Sequence, residues 1–173
     1  HWTDETGAIR DVEMRFTLPD KDVFVIDANA SPPRPVNGPA GVYPHVGTTL
    51  FNMIVNPASG KVYVSNLEAN NQQRFEGQNV SGAAATFPDD SVRGRIAFSR
   101  VTVLGAGGSV APRHLNKHID YDTCCAPIPN AENAASVAFP IGMEITQSGS
   151  TLYVASLGTS EVVGIGEGMP LPA

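Results

Sequence analysis

The chain contains one phrase twice. "SGKVYVSN" (Ser59 to Asn66) returns in blurred form as "GSTLYVAS" (Gly149 to Ser156). Shifted by 90 residues, the two surrounding segments align without a gap. Met53 falls on Met143, Val55 on Ile145, Val62 on Leu152, Tyr63 on Tyr153, Val64 on Val154 and Leu67 on Leu157. Each copy reads apolar strand, polar turn, apolar strand: "LFNMIV", "NPASG", "KVYVSN", then "VAFPIGMEIT", "QSGS", "TLYVAS". Asn, Pro, Ser and Gly are the residues tight turns need. Similarity at a fixed offset is the mark of a repeat architecture. A lone hairpin cannot bury its apolar face, and stacked copies can. Tyr63 and Tyr153 are therefore expected to pack between neighbouring copies. The competing reading is chance likeness between two hairpins of a sandwich.

The rest of the chain is read around these copies. "VEMRFTL" (Val12 to Leu18) alternates apolar and polar residues and predicts a half-buried strand. "VFVIDA" (Val23 to Ala28) is a continuous apolar run and predicts a strand buried on both faces. "RIAFSRVTVLG" (Arg95 to Gly105) and "EVVGIGEG" (from Glu161) read as further strands. Three segments read as long irregular loops within one domain: 29–41 with four prolines, 67–94 and 106–136. With 17 glycines and 14 prolines, the chain favours turns over long helices.

The repeated units resemble a blade of the YVTN-type β-propellers. The resemblance is carried by "FNMIVNPASGKVYVSNLEANN" and "PIGMEITQSGSTLYVASLGTSEVVGI". "GTSEVVGI" (Gly158 to Ile165) matches the last turn and strand of such a blade, and "DVFVIDA" (Asp22 to Ala28) the closing strand of a preceding one. Ser156 stands where the signature has Asn, and the loops 67–94 and 106–136 exceed ordinary blade loops. The resemblance implies an all-β fold of propeller-like repeats with long loops. At about 40–45 residues per blade, it implies a partial propeller of about three to four blades. It also implies a bacterial, periplasmic or extracellular setting. The chain opens "HWTDETG", without initiator Met or signal peptide, and reads as a processed product or a piece of a larger protein.

Several classes are excluded or weakened. A net charge of -6 argues against a nucleic-acid partner, which would need clustered Lys and Arg. No apolar run approaches the length of a membrane span. The two cysteines are adjacent, so the segment carries neither a C-x-x-C zinc ribbon nor a C-x-x-C-H haem site.

The densest chemistry is "PRHLNKHIDYDTCC" (Pro112 to Cys125). His114 and His118 would share one face of a helix. With Asp120 and Asp122 they could hold zinc or copper, the divalent ion being the cofactor this sequence admits. The competing reading is an ordered loop whose His and Asp side chains bond to irregular backbone. Cys124 and Cys125 are a vicinal disulfide, two thiols, or two halves of bridges made elsewhere. "GAGGS" (Gly105 to Ser109) lacks the Lys of a phosphate loop and reads as a turn. "DDSVRGR" (Asp89 to Arg95) lacks the calcium pattern of an EF-hand loop.

No catalytic set emerges. The expected function is a non-catalytic binding or scaffold module, with recognition carried by loops on a rigid frame. Its partner would be the remainder of its own polypeptide or another protein. The resemblance implies two alternatives: the propeller portion of a quinoprotein or c-type cytochrome system, and a metal-dependent lactonase-like hydrolase using Asn66, Glu68, Asn70 and Asn71.

Overall fold

The computed structural model describes residues 6–13, 20–70, 95–121 and 129–166. Four short strands come first: β1 (Val23–Phe24), β2 (Ile26–Asp27), β3 (Arg34–Pro35) and β4 (Val42–Tyr43). Then follow β5 (Thr49–Val55), β6 (Val62–Ala69), β7 (Ala97–Leu104) and β8 (Val110–His114). A short helix α1 (Ala131–Ala134) precedes β9 (Pro140–Ile145), β10 (Thr151–Ser156) and β11 (Glu161–Gly166). The fold is all-β, with four helical residues in α1 and three short 3-10 turns among the described residues.

β5 to β8 form a four-stranded antiparallel meander, and β9 to β11 a three-stranded one. The repeat holds at the level of register. Met53 faces Val64 as Met143 faces Val154, and Val55 faces Val62 as Ile145 faces Leu152. Even the irregularity repeats. Leu50 pairs with Asn66 and Asn52 with Ser65, leaving Phe51 as the extra residue. Pro140 pairs with Ser156 and Gly142 with Ala155, leaving Ile141. A bulge bends and re-aims a strand, and here it stands at the same place in both hairpins.

The first sheet is covered on both faces. On one, Tyr63, Val101, Leu115 and Val137 pack against Leu152 and Val154 of the second sheet, with Ile54, Val103, Met143 and Ile145 around them. On the other, Val64 and Leu104 pack with Val46, Val23 and Tyr43 from the preceding segment. Strand alternation sends Tyr63 to one core and Val64 to the other, so both are buried. The two hairpin turns are also tied together. Asn56 Nδ2 donates to the Gly149 carbonyl at 2.9 Å, while its Oδ1 accepts from the Ala58 and Ser59 amides.

Several expectations need correcting. "VFVIDA" is two short strands rather than one, and it is not buried on both faces: Phe24 and Ile26 are exposed while Val23 joins the core. Among the described residues the segment has a sheet to cover on one side only. Asp11–Glu13 is a 3-10 turn, and 14–18, the rest of the expected first strand, lie outside the described residues. β6 runs to Ala69, past the expected loop start, because its last residues pair with the start of β7. The loop 106–136 contains β8, a strand with a proline at its centre. Pro112 is tolerated because β8 is the edge of the sheet. Tyr153 does not pack between copies as Tyr63 does: it keeps 46% exposure against 9%.

Candidate functional site

Where β7 begins and β8 ends, the chain after β8 folds back to form a pocket of about 220 Å³. It is lined by Arg95, Phe98, His114, Lys117, Ile119 and Tyr121, with Ser99 and Asn116 behind them. Register places these side chains. Arg100 pairs with His114, so Phe98 and Arg95 run past the end of β8. Leu115 then turns inward, its amide donating to the Ser99 carbonyl at 3.0 Å. Asn116 fixes the returning segment: its Nδ2 donates to the Val137 carbonyl at 2.9 Å and its Oδ1 accepts from the Val137 amide at 2.7 Å.

The pocket is cationic and aromatic. The Arg95 guanidinium carbon lies 5.2 Å from the Phe98 ring centre and 4.9 Å from that of Tyr121. Such stacking holds an arginine's plane while leaving its N–H edge free to donate. Arg95 Nε is buried and has no hydrogen-bond partner. His114 meets Phe98 edge-on, with ring centres 5.1 Å apart. Burial lowers the His114 pKa from its ordinary value, and Arg100 and Lys117 lower it further against an opposing pull from Glu68. Burial raises that of the Tyr121 phenol, opposed by Arg95. At neutral pH both are therefore uncharged, and the charge of the pocket is that of Arg95 and Lys117.

Beside the pocket lies a buried polar knot. Arg100, 8% exposed, donates from Nη2 to Glu68 Oε2 at 2.8 Å and to the Val46 carbonyl at 3.1 Å. Its Nε donates to Asn66 Oδ1 at 3.2 Å. Asn66 Nδ2 donates to Thr102 Oγ1, whose own hydroxyl donates to Val46. Asp22 accepts from the Val46 and Gly47 amides. Burial lowers the Arg100 pKa, with Glu68 and Asp22 opposing. Asn66 and Glu68 are thus engaged with their own fold, and Asn70 donates to the Arg95 carbonyl. Ser156, which stands at the repeat position of Asn66, does related work with a shorter side chain. Its hydroxyl accepts from the Ala138 amide and donates back to the Ala138 carbonyl, holding the chain that enters β9.

The residues expected to bind metal fall in different places. His114 ends β8 and His118 lies in a turn, so no helix face unites them. His118 Nε2 lies 3.3 Å from the Glu132 carbonyl. Asp120 is exposed, while Asp122, Cys124 and Cys125 lie outside the described residues. Among the described residues no three His, Cys, Asp or Glu side chains gather as a metal site. Arg95, Phe98, Lys117 and Tyr121 were not singled out from sequence. Their only sequence signal was the histidine-rich stretch on one side of the pocket; the other side arrives through strand pairing.

Fold and site together define a class: an all-β chain of two packed meander sheets, with a small cationic, aromatic pocket at one sheet end. No family model matches the chain, and no curated protein does. Among solved structures it is similar to hydrazine synthase of Kuenenia stuttgartiensis, at 21% identity and a TM-score of 0.47. The match covers 73% of this chain and 28% of that one, so the chain spans less than a third of that neighbour. No helix among the described residues is long and apolar enough to cross a membrane.

Proposed function

We propose that this chain is a non-catalytic binding and scaffold module, built from β-propeller-type blades and forming part of a larger propeller. The observation that carries the reading is the unequal fate of two equivalent faces. In the first sheet, the face bearing Ile54, Tyr63 and Val103 is covered by the second sheet. Strand alternation gives the second sheet a corresponding face with Gly142, Glu144, Tyr153, Ala155 and Val162. Tyr153 is 46% and Val162 69% exposed there. Contiguous exposed apolar surface on a soluble protein marks an interaction site. The repeat supports one occupant, a further sheet of the same kind presenting branched apolar side chains as Leu152 and Val154 do to Tyr63. A meander of four strands and a preserved bulge agree with blade geometry.

The test is radical footprinting of the protein as it occurs in the cell. Tyr153 is expected to be shielded nearly as well as Tyr63. A Tyr153 that reacts as an exposed tyrosine in that intact protein would overturn the reading.

A further inference from the structure

We propose that the pocket between β7, β8 and the segment after β8 binds a small organic monocarboxylate with a flat or compact apolar body. This deepens the binding-module reading by naming the ligand class of one site, and it rests on that reading only for its biological sense.

Three independent features point to that chemistry. The first is charge. Arg95 and Lys117 line the pocket and, among the described residues, no carboxylate does, on a chain whose net charge is -6. The neighbouring Arg100 already has Glu68, whereas Arg95 shows no ion pair with another described residue. Arg95 is half-buried, and a partly desolvated cation favours a counter-charge. The second is geometry. Stacked between Phe98 and Tyr121, the Arg95 guanidinium is held in place. Its buried Nε has no acceptor, and buried donors are seldom left so. An arginine fork suits the two oxygens of a carboxylate. The third is the wall. Phe98, Ile119, Tyr121 and an uncharged His114 offer apolar and edge contacts that inorganic anions do not use. At about 220 Å³ the space suits a small molecule rather than a nucleotide or peptide.

The experiment titrates the intact protein with benzoate, benzamide and inorganic phosphate, read by calorimetry and ligand-observed NMR. Benzoate is expected to bind with a Kd of about 1 mM or tighter. Benzamide, the same shape without the charge, should bind at least about tenfold more weakly. Arg95→Gln should abolish benzoate binding. Lys117→Gln, at an exposed position, should weaken it about threefold or more and flatten its salt dependence. Arg95→Gln could disturb the stack itself. The Lys117 variant, checked by unchanged hydrogen exchange in β7 and β8, keeps the test open in that case. Equal binding of benzoate and benzamide would overturn the proposal, as would phosphate binding without benzoate, or no binding at all. So would a Lys117→Gln variant with unchanged affinity. The footprint of Tyr153 lies on the other sheet, so failure here and failure of the blade reading are separate results.

Discussion

Tyr63 and Tyr153 occupy the same repeat position, in the same register, and differ in what covers them. Replacing each by alanine in the 173-residue chain isolates that difference. The β-propensity lost is the same at both sites and cancels. Tyr63 keeps 9% of its exposure within the inter-sheet core. An aromatic truncated there loses its transfer energy and leaves a cavity, about 4 kcal/mol in all. Tyr153 keeps 46%, and its ring lies over Gly164 with a closest approach of 3.5 Å to the position a Cβ would take. Its loss opens no enclosed cavity and should cost about 2 kcal/mol. With a urea slope of about 2 kcal/mol/M, the midpoints should fall by about 2 M and about 1 M. Urea unfolding followed by circular dichroism measures both. Equal losses at the two sites would refute the reasoning, because the covering sheet is what distinguishes them. In a longer protein that covers Tyr153, the gap should narrow.

Arg100→Met removes the partner of both Glu68 and Asn66 and should cost roughly 2–4 kcal/mol by urea titration. The figure is moderated because Glu68 keeps 39% of its side-chain exposure. Gly149→Ala places a Cβ 2.3 Å from Asn56 Oδ1 at a φ of +73° and should cost about 2 kcal/mol or more. Gly60→Ala, at a φ of +70° with open space around it, should cost about 1 kcal/mol. Similar costs at the two glycines would deny the tie between the turns. For His114, the pKa is lowered in the fold, so the unfolded chain binds the proton first as pH falls below its ordinary 6.5. Stability should therefore fall on acidification from that point, and be unaffected by this group above it. Melting temperatures at a series of pH values, compared with His114→Gln, should show a shallower acid slope in the variant.

The legibility of the chain varied with the range of the interactions involved. Hairpins were readable because turn chemistry and alternation are local. β8 was missed because "VAPRH" has a proline at its centre and little apolar periodicity; it is a strand because β7 offers it an edge. The "VFVIDA" run looked like a doubly buried strand because composition reports how apolar a segment is, not how many neighbours it has. His114 was noticed as a candidate ligand. Its actual neighbours, Phe98, Arg100 and Lys117, come from a register that the sequence does not print.

By itself, the sequence determined the repeat. The 90-residue offset carried over into equivalent cross-strand pairs and a bulge at the equivalent place, since side-chain alternation and turn length are properties of adjacent residues. Tertiary structure alone decided what each copy meets. One tyrosine is enclosed and its twin is open, and Arg95 lies over the Tyr121 ring at the wall of a pocket. Burial and encounter depend on which surfaces are brought together, and those pairings are set by the packing of whole sheets rather than by any single stretch of chain.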